Sequence, residues 1–335
     1  MKKNNTFKAL RVYAEKGQIR KCIEQMCFDD LPDGDVLIKV HYSSLNYKDA
    51  LSASGNKGVT RKFPHTPGID AAGTVIESNN SLFLPGDEVV CMGYDLGMNT
   101  YGGFGQYIRV PDQWVIKKPD TLTLLDTMQL GTAGFTAAQC VNALHEYGPG
   151  AERGPILITG ATGGVAIISA LLLQKLGYEV HGLTGKKEAT ETLLDLGYSA
   201  IMSREKGLAG SDKLLLKEQW AGVVDTVGGE LLANAIKATM FDGVVTSCGN
   251  AFSGDLPLTV YPFILRGVHL VGIYSANCPM EKRLMIWEKL AGPWKLDNLD
   301  VISGVISLEE LPHRIDQMLA GKTKGRTVVR LWEEM

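Results

Sequence analysis

Residues 155–166 carry the pattern with the clearest chemistry. A short apolar run, Ile156 to Ile158, ends in the turn Gly160-Ala161-Thr162-Gly163-Gly164, and the turn opens on Val165–Leu176, which has helical character. A buried strand, a glycine turn and a helix start, in that order, form a phosphate cradle of the dinucleotide-binding kind. Small residues let the backbone approach a pyrophosphate, and the helix N-terminus presents free N–H groups at its positive end. Gly163, Gly164, Val165 and Ala166 are expected to line that cradle. Roughly 20 residues further on, where this arrangement meets the adenosine ribose, stands Thr184-Gly185-Lys186-Lys187. An acidic residue there would bind a ribose 2′-hydroxyl, whereas a lysine suits a 2′-phosphate. The expected cofactor is therefore NADP(H), with Lys186 and Arg204 on the 2′-phosphate and Thr184 or Gly185 adding hydrogen bonds.

The surrounding elements are those such a cradle needs. From about 128 to 297, apolar runs alternate with helical stretches. The spacing predicts strands at Ile156–Thr159, Glu179–Leu183, Ala200–Ser203, Gly222–Asp225, Val244–Ser247 and Leu270–Ile273, and a helix at Glu188–Leu196 ending at Gly197. That alternation implies a doubly wound parallel sheet. Residues 1 to about 125 read instead as β-rich, with alternating runs such as Asp35–Val40 between Pro-Asp-Gly, Pro-Gly-Asp and Gly-Gly turns. The last stretch has a capping-box pattern at Ser307–Glu310, a helix to about Ala320 and a closing strand at Arg326–Leu331.

Beyond the cradle, the chain resembles the medium-chain dehydrogenase/reductase superfamily over nearly its whole length. The residues that carry the match are Ser43-Ser-Leu-Asn46-Tyr47-Lys48-Asp49, Pro64-His-Thr-Pro67-Gly68-Ile69-Asp70, Pro85-Gly86-Asp87-Glu88-Val89, Gly131-Thr132-Ala-Gly134-Phe-Thr136-Ala, Trp220–Gly229 and Pro262-Phe-Ile-Leu265-Arg266. Within the superfamily it is similar to a zinc-independent branch of quinone oxidoreductases and acrylyl-CoA reductases. The resemblance implies an α/β protein of two domains. A GroES-like β-rich catalytic domain comprises residues 1–127 and 298–335, and a Rossmann domain binding NADP comprises residues 128–297. It places Tyr47 in the cleft between the domains as the catalytic residue and a cofactor contact. It gives Thr136 the nicotinamide ribose and puts Asn250, Ile264 and Ser275 among the cofactor contacts near late strand ends. Asn46 and Asp49 are expected to shape the Tyr47 loop through local bonds. Ala166 replaces the last glycine usual in the family's cradle, at a position that needs a small residue.

Departures from the zinc members narrow the chemistry. Where those proteins carry Gly-His-Glu, this chain has Gly68-Ile69-Asp70, and isoleucine cannot ligate a metal. The first-cysteine region reads Ser44-Leu45-Asn46-Tyr47, the four-cysteine lobe is missing, and the six histidines do not cluster. No metal is expected, and His65 reads as a surface loop residue. Without a metal, the favoured reaction is hydride transfer to an acceptor already activated by conjugation, for which the resemblance implies acrylyl-CoA, with a quinone as the alternative. A third reading is an NADPH-binding sensor or structural protein without turnover.

Charge and composition limit the partners. A formal net charge of −3 gives no global pull toward nucleic acid, and no apolar run is long enough to span a membrane. The N-terminus lacks the apolar core of a signal peptide, and the six cysteines are scattered. A cytoplasmic setting with reduced thiols is expected. Cys248 reads as a buried thiol, and Lys57, Arg61 and Lys62 as a solvated basic segment. The resemblance implies a homodimer joined through the sheet edge near Leu270–Ser275.

Overall fold

The computed structural model describes residues 6–15, 17–148 and 150–333. The chain forms two compact units, one of residues 1–132 and 276–335, the other of residues 133–275.

The first unit begins with a hairpin of β1 (Thr6–Glu15) and β2 (Gln18–Cys27). Then follow β3 (Val36–Ser44), the short helix α1 (Tyr47–Ala53), β4 (Asp70–Ser78), β5 (Glu88–Met92), β6 (Tyr107–Val110) and β7 (Val115–Lys117). Alternating apolar residues fill its core, among them Val36, Ile38, Val40, Val75, Phe104 and Ile108. Helix α2 (Leu124–Tyr147) spans the first boundary between units and is broken at Gly131, whose φ of 50° leaves the helical region.

The second unit holds β8 (Ile156–Thr159), α3 (Gly164–Lys175), β9 (Val180–Thr184), α4 (Thr190–Asp195), β10 (Ala200–Ser203), α5 (Arg204–Gly207), β11 (Trp220–Asp225), α6 (Gly229–Lys237), β12 (Thr239–Ser247), α7 (Tyr261–Arg266) and β13 (His269–Gly272). Its six strands lie in the order β10-β9-β8-β11-β12-β13, every pair parallel. Renumbered within the unit this is 3-2-1-4-5-6, the doubly wound order of dinucleotide-binding sheets. Both faces of such a sheet are covered, which explains why β8 and β11 are buried along their whole length.

After β13 the chain re-enters the first unit through α8 (Met280–Ala291), β14 (Ser303–Ser307), α9 (Leu311–Leu319) and β15 (Arg326–Arg330). Ser307 and Glu310 exchange hydrogen bonds ahead of α9, as the capping pattern predicts. β15 pairs with β3, giving the sheet order β14-β15-β3-β4-β5-β7, with β6 also on β3. The return falls earlier than the sequence predicts: residues 276–297 group with the first unit, not the second. The reason is Arg283 of α8, buried in the first unit, where it donates to the carbonyls of Met92 (3.0 Å) and Ala276 (3.1 Å).

Candidate active site

In the second unit, the turn after β8 has the predicted form. Gly160 has a φ of +63°, and a Cβ there would stand 2.5 Å from Thr226 Oγ1, so both backbone conformation and space require glycine. Thr226 is held in turn by the carbonyl of Thr159. Gly163 caps α3 without any side-chain bond, leaving the N–H groups of Gly164, Val165 and Ala166 at the helix start. A Cβ at Gly163 would meet only the Gly160 carbonyl, at 3.3 Å, so this face of the turn is open. Ala166 is fully buried, and its carbonyl accepts a long bond of 3.3 Å from Tyr198. The floor of the turn is tied across the sheet: Thr159 Oγ1 donates to Asp225 at 2.7 Å, and Gly228 N–H to the same carboxylate at 2.9 Å. Burial raises the Asp225 pKa, while these donors oppose the shift.

The residues predicted for the 2′-phosphate also converge. Thr184 ends β9, and its Oγ1 accepts the Lys186 N–H at 3.1 Å, which shapes the turn. The guanidinium of Arg204, at the start of α5, lies over Gly185: a Cβ there would approach its Nη2, Cζ and Nε to 2.9–3.2 Å. Thr136 and Ser275, 139 residues apart, are joined by a 2.9 Å hydrogen bond between their hydroxyls. Asn250 is exposed just after β12, with its backbone beside that of Gly228. Ile264 sits on α7 and is 67% exposed. Cys248 is half-buried. Its thiol pKa is raised by a hydrogen bond with Cys140 and by burial, which disfavours the thiolate.

In the first unit, Tyr47 opens α1 and is 54% exposed. Beneath it lies a buried polar cluster that sequence reasoning missed. Asp70, fully buried, accepts from Asn46 Nδ2 (2.8 Å), Thr132 N–H (2.9 Å), Thr132 Oγ1 (2.6 Å) and Ser44 Oγ, with Arg326 Nη2 3.9 Å away. Arg326 also donates to Asn46 Oδ1 at 3.1 Å and to Ser44 Oγ at 2.8 Å. The break at Gly131 supplies the rest. It frees the carbonyls of Met128 and Gln129 from helical partners, and Arg326 takes both, at 3.4 and 3.0 Å. Burial lowers the Arg326 pKa, with Asp70 and then Asp49 opposing. Asp49 completes the loop: it accepts N–H bonds from Asn46 (2.8 Å), Gly68 (3.1 Å) and Ile69 (2.8 Å). Burial, reinforced by the charge of Asp70, pushes the Asp49 carboxyl up to about 7. The cluster fixes Asn46 from both ends of its amide, and so fixes where the next residue, Tyr47, emerges.

Gly68, Ile69 and Asp70 are thus committed to Asp49 and to the cluster, and among the described residues no group of three or more His, Cys, Asp and Glu is arranged to hold a metal. His65 is buried rather than on the surface. It donates from Nε2 to the Gly97 carbonyl, and burial lowers its pKa to about 4, so the imidazole is neutral. Lys57, Arg61 and Lys62 are exposed. A cavity of about 600 Å³ in the first unit, lined by Lys39, His41, Tyr42, Arg330 and Trp332 among others, contains none of the predicted residues. Among the described residues no helix is long and apolar enough to cross a membrane.

Comparison with known proteins agrees with this fold. The alcohol dehydrogenase GroES-like domain matches residues 32–120, and the zinc-binding dehydrogenase family matches residues 164–289. The chain is 42% identical to Bacillus subtilis YhfP, provisionally named a quinone oxidoreductase, over 97% of this chain and 99% of that one. A crystal structure of YhfP with NAD bound superposes with a TM-score of 0.95, covering 98% of this chain and 100% of that one. Acrylyl-CoA reductase AcuI of Ruegeria pomeroyi is 40% identical over 94% of this chain and 96% of its own length. The crystal structure of Escherichia coli K-12 YHDH with NADPH bound, 38% identical, superposes with a TM-score of 0.93 over 97% of this chain and 100% of that one. Sequence, sheet order and these relatives agree that the chain belongs to the medium-chain dehydrogenase/reductase superfamily.

Proposed function

We propose that this protein is an NADPH-dependent oxidoreductase that reduces the activated double bond of acrylyl-CoA, or a close 2-enoyl thioester, to the saturated acyl-CoA. The observation that carries the reading is the end of β9: no acid follows Thr184, Lys186 does, and the Arg204 guanidinium covers Gly185. A lysine in the turn and a guanidinium held over its glycine suit a ribose 2′-phosphate. The uncapped start of α3, with Gly163, Gly164, Val165 and Ala166, offers N–H groups to the pyrophosphate. The Thr136–Ser275 pair offers hydroxyls to the nicotinamide ribose, and Asn250 and Ile264 add contacts. When bound, the reduced cofactor supplies hydride. Charge then develops on the thioester oxygen, and a fixed donor must meet it. Tyr47 is that donor in this reading, or the acid that returns a proton to the α-carbon. The similarity to AcuI supports the thioester as substrate.

Quinone reduction is the second reading, supported by the similarity to YhfP and by the same conjugate hydride chemistry. We also propose a cytoplasmic homodimer. All six cysteines are free, which fits a reducing compartment. Among the described residues the outer edge of β13 has no partner strand, and Leu270 on the strand and Tyr274 just after it are exposed. An apolar sheet edge of this kind suits pairing with its symmetry copy.

The test is NADPH consumption with acrylyl-CoA, run beside benzoquinone and an NADH control. High kcat/KM for the thioester with NADPH is expected. Turnover of the quinone alone favours the second reading, and tight NADPH binding without turnover of either favours a binding protein.

A further inference from the structure

Phe252 lies in the loop after β12, outside every motif in the sequence. Its backbone is pinned: the Phe252 N–H donates to the Val227 carbonyl at 2.8 Å, and Ser253 bridges to Gly228. Its ring rests against the first residue of α6. Gly229 has a φ of +67°, and a Cβ there would come within 2.7 Å of Phe252 Cδ1. The ring is therefore placed by backbone bonds and by a glycine that makes room for it, yet it remains 44% exposed. An exposed phenylalanine held this firmly needs a partner to explain it.

The partner is Arg204. Its guanidinium carbon lies 5.7 Å from the centre of the Phe252 ring, within cation–π range. Arg204 also contacts Gly185, where a Cβ would stand 2.9 Å from Nη2. An arginine at the surface normally samples many rotamers. Here an aromatic ring and a glycine backbone restrict it from two places, contributed by the loops after β12 and β9. Arginine, with its planar and weakly hydrated head, accepts such a position better than lysine would.

We propose that Phe252 is a positioning residue that sets cofactor preference: it holds the Arg204 guanidinium over Gly185, in place for a ribose 2′-phosphate. The inference rests on the assignment of Lys186 and Arg204 to that phosphate. Phe252 itself contributes little to NADH, which offers Arg204 only a neutral 2′-hydroxyl in place of the phosphate dianion.

The experiment measures KM and kcat with NADPH and with NADH, and the Kd of each by cofactor fluorescence titration, for the wild type, Phe252→Leu, Phe252→Tyr, Arg204→Ala, Lys186→Ala and the double variant Phe252→Leu/Arg204→Ala. Phe252→Leu is expected to raise KM and Kd for NADPH about three- to fivefold, the range of an exposed cation–π contact, while leaving kcat and the NADH constants unchanged. Phe252→Tyr, which keeps the ring, restores wild-type values. The double variant is no worse than Arg204→Ala alone, since Phe252 acts through the arginine. An equal loss for both cofactors, or additive losses in the double variant, overturns the proposal and makes the ring a loop anchor or an adenine contact. The underlying assignment fails separately: Arg204→Ala and Lys186→Ala would then weaken NADPH and NADH alike. If those two discriminate and Phe252→Leu does not, only the role of Phe252 is lost.

Discussion

Tyr47 stands in the first turn of α1 with its phenol in the open, while its neighbour Asn46 is locked to Asp70 and Arg326. The side chain proposed to do chemistry is therefore free to meet a ligand, and its backbone is not free to move. Replacing Tyr47 with Phe should lower kcat on acrylyl-CoA about tenfold or more with an unchanged melting curve; full activity in that variant would remove the tyrosine from the chemistry. Asp49, behind it, has a pH signature. Its folded pKa of about 7 lies above the ordinary 3.8. Between those values the native state binds more protons than the unfolded chain, so stability falls as pH rises through that window and levels off above 7. His65, whose pKa is lowered to about 4, acts in the opposite sense, its contribution fading as pH drops below 6.5. Comparing wild type with Asp49→Asn cancels the histidine. From pH 5 to pH 8 the wild type should lose roughly 3 kcal/mol more than the variant, read from urea midpoints, and parallel curves would show that Asp49 stays ionised throughout.

At the scale of elements, the break in α2 is the feature that assembles the buried cluster. A Cβ at Gly131 would fall 2.5–2.6 Å from Ser44 Oγ, Arg326 Nη2 and Asp70 Oδ2 at once. Gly131→Ala should therefore cost about 3 kcal/mol or more in urea unfolding, through strain and a disturbed buried ion pair; a loss below 1 kcal/mol would mean the cluster relaxes around a methyl group. The break also shows where sequence reading stops. The central parallel strands were legible because a strand buried on both faces is a continuous apolar run, and β8 lies where such a run predicts it. The phosphate turn was legible because its glycines and its helix are neighbours in the chain. Arg326 and Asn46 are 280 residues apart, and no local period records a contact of that length. Gly131 was visible within a motif, but nothing beside it indicates a positive φ. Residues 276–297, expected with the parallel-sheet domain, group with the first unit; the burial of Arg283 is a tertiary fact that the irregular link from Ile273 to Pro279 does not record.

For the whole molecule, β13 predicts the assembly. Sedimentation equilibrium should return twice the chain mass, and Leu270→Lys, which charges the outer strand, should shift the population to single chains. A wild type at the single-chain mass would remove the proposed edge pairing. The discontinuity of the first unit matters as well. β3 lies between β4 and β15, and Val328, Val329 and Arg330 pair with Ser44, Ser43 and Tyr42. During translation, β3 emerges long before its second neighbour. At ribosomal speeds of roughly 5–20 residues per second, the interval lasts on the order of fifteen to sixty seconds. Through that interval residues 133–275 can fold around their own sheet, while the polar pocket awaiting Arg326 holds Asp70 without its cation. The nascent chain can thus complete its nucleotide-binding half before the other. The half that carries Tyr47 waits with an open strand edge, exposed to mispairing and to chaperones, until β15 closes it.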